Sequence, residues 1–317
     1  MPSQPPIRIG TRASKLARTQ SGHMQQRIAA ALGAAPGDAE QVAPLVLITT
    51  SGDRIQDRRL LEAGGKGLFV KEIEEALLEG RIDCAVHSMK DMPAELPPGL
   101  VLGAIPERED PRDALISRGG LRFEDLPRGA RLGTASLRRQ AQALHRRPDL
   151  TIEVLRGNVD TRLAKLEAGA FDAILLAAAG LRRLGLQDHI TDLIDPVEAP
   201  PAPGQGALAI ECRAAEADSA WLAALRHAPT ALAVAAERGA LEALEGSCRT
   251  AIGAHARIQQ ELLLLTVEAL TPDGQDRFRR EASLPLGGLL GHAEAHALGA
   301  RLGRDIRAAA GDRIVWA

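Results

Sequence analysis

The chain has 317 residues, 45% apolar and 25% charged, and its 39 basic against 41 acidic residues leave a net charge of -2. That length exceeds one hydrophobic core and calls for two or three domains, and the composition excludes a disordered chain. The balanced charge excludes a whole-molecule attraction to nucleic acid or membrane, and an aromatic content of 2% is too low for a base-stacking surface.

The first two-thirds alternate short apolar runs with amphipathic ones. Ile7 to Gly10 reads as a strand and Ser14 to Leu32 as a helix with Ser14 as N-cap. Val42 to Thr50 reads as a strand, Leu68 to Glu79 as a helix stopped by Gly80, and Ile82 to His87 as a buried strand. This rhythm predicts a largely parallel sheet flanked by helices.

After the Pro-rich passage from Met92 to Pro111 the pattern restarts. Strands are expected at Ala114–Ser117, Leu132–Gly133, Thr151–Leu155 and Asp172–Leu176, and helices at Ser136–Arg147, Asn158–Ala168 and Leu181–Gly185. A second Pro- and Gly-rich stretch, Asp195 to Gly206, leads into a strand at Ala207–Glu211. The chain can thus leave one domain, build another and return, which makes a hinge with a ligand cleft between two lobes. From about Pro229 a long helix ending near Gly246, strands at Leu262–Leu270 and Arg277–Ala282, and a helix from His292 to Ala309 predict an α+β cap.

Polar signals fall where open α/β folds bind ligands, at the C-terminal ends of strands. They are Thr11-Arg12-Ala13-Ser14, His87-Ser88-Met89-Lys90-Asp91, Gly133-Thr134-Ala135-Ser136 with Arg138 and Arg139, and Arg156-Gly157-Asn158 with Arg162. Hydroxyls at helix starts beside forked guanidinium donors suit carboxylates. Taken singly, Ser136 reads equally as a helix cap, Arg138 and Arg139 as solvated surface, and Lys90-Asp91 as a loop ion pair. Several basic segments at equivalent strand ends favour a polyanionic ligand. His87 reads as structural, and Met89 and Met92 as packing residues.

Gly64-Gly65-Lys66-Gly67 lacks the Ser or Thr that a Walker loop needs after its lysine and suits a mobile lid instead. Gly204-Gln205-Gly206 opens an apolar strand, so it is no dinucleotide fingerprint. Cys84 and Cys212 read as core, whereas Cys248 lies between small residues with Arg249 beside it to favour thiolate. Three scattered cysteines give neither metal-ligand spacing nor a disulfide framework, so no metal is expected and a reducing compartment, the cytoplasm, is. No basic stretch followed by an apolar run opens the sequence, so no secretory signal is expected. No uninterrupted apolar run of about 18 residues appears, so no membrane span is expected either.

Together these segments resemble the porphobilinogen deaminase family. The resemblance runs through Arg8–Arg12, Gly64–Phe69, Val86–Pro93, Glu107–Asp113, Ser136–Gln140, Leu155–Val159 with Thr161–Leu163, and Gly204–Gly206 with Ile210–Arg213. It implies an α/β fold with two lobes of the type II periplasmic-binding-protein kind, joined by a double-crossing hinge, and a small α+β C-terminal domain. The implied bounds are 1–106 with 207–226 for domain 1, 107–206 for domain 2 and 227–317 for domain 3.

The resemblance further implies a dipyrromethane cofactor joined by a thioether to Cys248, whose loop reads Gly246-Ser247-Cys248 where the family usually has Gly-Gly-Cys. Asp91 matches the family's catalytic aspartate. Lys90, Asp91, Thr134, Ser136, Arg138, Arg139 and Gly157 would hold the cofactor. Arg12, Ser14, Arg156, Arg162, Arg183 and Gln205 would hold substrate, and Gly65, Lys66 and Phe69 would belong to the lid. The implied substrate is porphobilinogen, joined four times with loss of ammonia and released by water as hydroxymethylbilane. The implied state is a monomer, with possible hand-over of product to a cyclising synthase. A two-lobed binding protein for a small carboxylate explains the basic cleft equally well but not the C-terminal cysteine. A nucleic-acid-binding protein is disfavoured by charge and composition.

Overall fold

The structure is a computed structural model that describes residues 5–54, 70–244, 250–287, 291–314 and 316, with the backbone alone at positions 53 and 54. In chain order it runs β1 (Ile9–Thr11), α1 (Lys15–Ala31), α2 (Ala39–Val42), β2 (Leu45–Leu47), α3 (Ser51–Arg54), α4 (Lys71–Leu78), β3 (Cys84–Ser88) and β4 (Leu100–Ala104). It continues with β5 (Asp113–Ser117), β6 (Arg131–Gly133), α5 (Leu137–Arg146), β7 (Thr151–Glu153), α6 (Val159–Glu167), β8 (Ala173–Ala177), α7 (Ala178–Arg183) and β9 (Asp192–Leu193). Then come β10 (Leu208–Arg213), α8 (Ala220–Ala223), α9 (Ala228–Ala243), β11 (Ala251–Gln259), β12 (Leu262–Leu270), β13 (Arg277–Pro285) and α10 (His292–Ala310).

The chain divides into two compact units, residues 1–108 with 207–231 and residues 109–206 with 232–317. The first holds a five-stranded sheet of order β2-β1-β3-β10-β4. Strands β1, β2 and β3 run parallel, while β10 runs antiparallel to both β3 and β4. The sheet is therefore mixed, not largely parallel: β10 re-enters the unit at Leu208, opposite Ser88, where β3 ends, and can only run back. Its core gathers Ile9, Met24, Ile28, Cys84, Ile210, Cys212 and Leu222, all buried. Both cysteines are thus core residues, as their apolar strands predicted, and burial pushes the Cys212 thiol up to about 11.

The second unit repeats the plan in a sheet of order β7-β6-β8-β5-β9. Here β6, β7 and β8 are parallel and β5 is antiparallel to β8 and β9. The same unit contains the antiparallel sheet β11-β12-β13, covered by α9 and α10 around Ala236, Leu244, Leu265, Leu298 and Ile306. The two helices touch because Gly299 has no side chain; a Cβ there would strike the Ala236 carbonyl. Buried Glu237 accepts from Gly204 N at 2.6 Å and from Ala256 N at 2.8 Å, and so ties the Pro-Gly segment before β10 to α9 and β11. Two five-stranded α/β sheets of one plan plus a small α+β part are the fold class expected.

Local differences have simple causes. The strand expected over Val42–Thr50 is trimmed to Leu45–Leu47 because Pro44 can offer only its carbonyl, which takes Ile9 N at 2.9 Å. Helix α7 begins directly after β8 at Ala178, three residues before the position expected. No described helix is long and apolar enough to cross a membrane.

Candidate active site

Each unit collects polar groups at the edge where its parallel strands end. In the first, Thr11 closes β1, and the half-buried Arg12 leads to Ser14, whose Oγ accepts from Ala17 N at 3.3 Å and caps α1. Next to it, β3 ends at Ser88, whose Oγ accepts from Gln20 Nε2 at 3.0 Å, and a single 3-10 turn, Met89–Asp91, follows. Met89 and Met92 are buried beneath that turn, whereas Lys90 and Asp91 are exposed. The packing methionines anchor the turn, so the Asp91 carboxylate is held out on a fixed support.

His87 is buried, with Nε2 3.0 Å from Glu211 Oε2 on β10. At the opposite, N-terminal end of β3, Asp83 accepts from Arg8 N at 2.8 Å, from Arg8 Nη2 at 2.8 Å and from Arg213 Nη2 at 3.1 Å. Burial alone would raise the Asp83 pKa, but the Arg8 and Arg213 bonds hold it below the usual range.

In the second unit the same edge is richer in cation. Thr134 follows β6, its Oγ1 accepting from Ser136 N at 3.2 Å, and Ser136 Oγ in turn accepts from Arg139 N at 3.4 Å, capping α5. The first-turn N–H groups of α5 face the same edge, a position that favours anions. After β7, Gly157 takes φ +113 and a Cβ there would lie 2.7 Å from Thr161 Cγ2, so only glycine makes this turn. Asn158 Oδ1 caps α6 through Thr161 N at 2.9 Å, and Arg162 folds back to donate from Nε to Gly157 O at 2.7 Å.

Arg138 and Arg139 do not point to solvent. Both are buried and converge on Asp113, which starts β5 at this edge. Arg138 Nη1 reaches Asp113 Oδ2 at 2.6 Å, and Gln205 Nε2 adds a bond to Oδ1 at 2.9 Å. Burial would raise the Asp113 carboxyl, but the two guanidinium charges win and hold it well below the usual range. Asp113 belongs to this edge although its sequence signal, one acid opening the apolar run Ala114–Ser117, gave it no role.

The surplus charge sits farther out. Arg162 and Arg183 are half-buried and donate to the backbone carbonyls of Gly157 and Gly206. Burial, then the charges of Arg139 and Arg156, push Arg162 down to about 10. Three cations thus crowd one position, and of these Arg139 is held by Asp113, which Arg138 shares. An anionic ligand is what such an edge lacks. Of the remaining residues expected at the site, Gly65, Lys66, Phe69 and Cys248 lie outside the described residues. Among the described residues no cluster of His, Cys, Asp or Glu could hold a metal.

These features define an α/β protein of two like sheets, each with its polar groups at the strand ends. A family model described as "Porphobilinogen deaminase, dipyromethane cofactor binding domain" matches residues 7–220, and one described as "Porphobilinogen deaminase, C-terminal domain" matches residues 231–308. A porphobilinogen deaminase from Caulobacter sp. (strain K31) is 68% identical over 315 residues, covering 99% of both chains. Another, from Phenylobacterium zucineum (strain HLK1), is 67% identical over 319 residues, covering 99% of this chain and 100% of that one. Among solved structures, an arginine-specific periplasmic binding protein from Salmonella typhimurium has a TM-score of 0.38 at 13% identity, over 70% of this chain and 92% of its own. The chain belongs to the porphobilinogen deaminase family. It is a transferase of tetrapyrrole biosynthesis with a dipyrromethane cofactor, and the crowding of Arg139 and Arg156 on Arg162 fits a group that carries carboxylates.

Proposed function

We propose that the protein condenses four porphobilinogen molecules head-to-tail with release of ammonia, on a dipyrromethane held by a thioether to Cys248, and then frees hydroxymethylbilane with water. The observation that carries this reading is the surplus of positive charge around Arg162 at the strand ends of the second unit. When bound, the dipyrromethane supplies the pyrrole α-carbon to which substrate rings are joined.

The chain's own residues divide the remaining work. Arg156, Arg162 and Arg183, with Arg12 and Ser14 from the first unit, neutralise the acetate and propionate groups of the incoming ring and the growing chain. Thr134, Ser136 and Gly157 offer hydroxyl and backbone donors to the cofactor's carboxylates. Arg138, Arg139 and Gln205 act from one layer deeper: fixed on Asp113, they set the potential of the edge and hold the start of α5. Lys90 adds an exposed ammonium.

Asp91 is given the central role. Loss of ammonia from the aminomethyl group leaves a cationic ring, and a fixed carboxylate accepting the pyrrole N–H stabilises that charge as it develops. An exposed carboxylate on a turn anchored by Met89 and Met92 suits the task. Domain 3, residues 227–317, would present Cys248, and the scattered cysteines support a reducing compartment, the cytoplasm. We further propose a monomer that passes its product to a cyclising synthase.

The test is the intact mass of the purified protein with peptide mapping. A two-pyrrole adduct on Cys248 is expected. A chain that stays unmodified after incubation with porphobilinogen, yet binds it, would overturn the reading in favour of a carboxylate-binding protein.

A further inference from the structure

Beneath the Ser88–Asp91 turn lies a cluster of ionisable groups that the proposed chemistry does not use. His87 on β3, Glu211 on β10 and Glu74 on α4 are all buried, Glu211 completely. His87 pairs with Ala209 in the β3–β10 ladder, so Glu211, two residues on, shares its face of the sheet and reaches it diagonally at 3.0 Å. That bond uses Glu211 Oε2. The other oxygen, Glu211 Oε1, and Glu74 Oε1 are both shielded from solvent and accept no hydrogen bond.

Two buried carboxylates beside one imidazole cannot all be satisfied as ions. With His87 protonated, one negative charge is balanced and a second is not, and leaving it uncompensated is costly. A proton on one carboxyl removes the excess and turns an orphan acceptor into a donor, and α4 packs against both β3 and β10. The charged groups acting on Glu74 are Glu211 and His87; burial first, then the Glu211 charge, raise its pKa against the opposing pull of His87.

We propose that Glu74 keeps a proton and donates it to Glu211, and that the resulting Glu74–Glu211–His87 chain positions the Ser88–Asp91 turn. The link is short: His87 is the residue before Ser88, and its side chain pins the end of β3 to Glu211 on β10 just before the backbone turns out to Asp91. Ionisation of Glu74 sets a second negative charge against Glu211 and loosens that pin. The inference rests on the role given to Asp91 above for its catalytic half, but not for its proton.

The experiment compares the cofactor-loaded wild type, Glu74→Gln, Glu74→Ala and Glu211→Gln in thermal unfolding and in kcat from pH 5 to 9. A group whose folded pKa is raised lends stability that is complete below its unfolded value and lost as pH rises through the folded value. Glu74→Gln, which mimics the protonated acid, should therefore match the wild type at low pH and exceed it increasingly towards pH 9. Its kcat should hold on the alkaline side where the wild type declines, while Glu74→Ala fails to rescue that limb. Glu211→Gln should lower kcat by about tenfold or more with KM nearly unchanged.

A Glu74→Gln protein less stable than wild type above pH 6 would mean that Glu74 is ionised and paired with His87, and would overturn the shared proton. An alkaline limb unmoved by Glu74→Gln would overturn the positioning role. The unfolding arm reads the same whether or not Asp91 is catalytic, so failure here and failure of that assignment are distinguishable.

Discussion

Asp113 Oδ1 accepts from both Nε and Nη2 of Arg139, at 2.9 and 2.7 Å, so the guanidinium is locked edge-on before any ligand arrives. Asp113 is a buried anion shared by two buried arginines. Removing its charge leaves two buried guanidinium groups repelling each other. Asp113→Asn should cost about 3–5 kcal/mol of stability at neutral pH, measured by urea unfolding. The Asp113 pKa is depressed in the folded state, so its contribution is full above the unfolded value of about 3.9 and fades as pH falls below it. The gap between wild type and Asp113→Asn should accordingly narrow in acid. A gap that widens as pH falls would contradict the ionised, paired state.

Arg162 differs from Arg139 in having no acid paired with it among the described residues. Arg162→Ala should weaken the interaction with porphobilinogen by about 1.5–3 kcal/mol, roughly ten- to a hundredfold, with little loss of thermal stability. Arg162→Lys should recover only part of the effect, because an ammonium cannot reproduce a forked contact. The measurement is kcat/KM for the cofactor-loaded protein at two ionic strengths. Equal losses for Arg162→Ala and a surface control such as Arg301→Ala would remove Arg162 from the ligand edge.

Gly157 offers a sharper geometric test of the same edge. Its φ of +113 and the nearness of Thr161 mean that Gly157→Ala must disturb the turn that positions Arg156 and Arg162. Backbone strain of this kind costs on the order of 1–3 kcal/mol, and binding should fall along with it. Thr161→Ala in the same background relieves the contact but not the φ, so partial recovery of binding is expected in a double-variant cycle.

What the sequence made legible follows from how each signal is carried. The strand-end motifs were visible because Ser14, Ser136 and Asn158 are helix caps, and caps are written in single residues; all three accept from the backbone N–H three positions on. Strand β11 was invisible because Ala251–Gln259 reads Ala-Ile-Gly-Ala-His-Ala-Arg-Ile-Gln, small residues with weak strand preference, and it is held by nine paired positions with β12. Strand β4 lay hidden inside a Pro-rich passage. Arg138 and Arg139 stood out as cations, but nothing local says that they turn inward. That depends on Asp113, about 25 residues earlier, and on Gln205, more than 60 residues later, meeting them across the sheet. Long-range burial of charge was the part that local pattern could not supply.

Asp91 can be tested without ambiguity about folding, because its side chain is exposed on a turn whose anchors are Met89 and Met92. Asp91→Ala and Asp91→Asn should unfold within a degree or two of wild type and retain the covalent cofactor mass. Turnover should fall by about a hundred- to a thousandfold, the scale seen when a preorganised group facing developing charge is removed. Asparagine is the more informative change: it keeps the shape and a hydrogen-bond acceptor but loses the charge. If Asp91→Asn keeps near-normal turnover, the carboxylate does not balance a developing cation and Asp91 only orients the ring. If both variants are equally inactive while still loaded, charge is what the site requires.

Cys248 carries the last and most direct prediction. Cys248→Ala should fold, since the described cores of the second unit close around Leu244, Ile252, Leu265 and Leu298 without it. It should show the bare polypeptide mass and no turnover, even after long incubation with porphobilinogen. Cys248→Ser is the stricter control: an alcohol is far less nucleophilic than a thiol at neutral pH, so the same bare mass is expected. The other two cysteines cannot substitute, because Cys84 and Cys212 are buried in the first unit with their thiols held protonated. A two-pyrrole adduct on either Cys248 variant would place the attachment elsewhere and remove the thioether from this account, whatever the arginines bind.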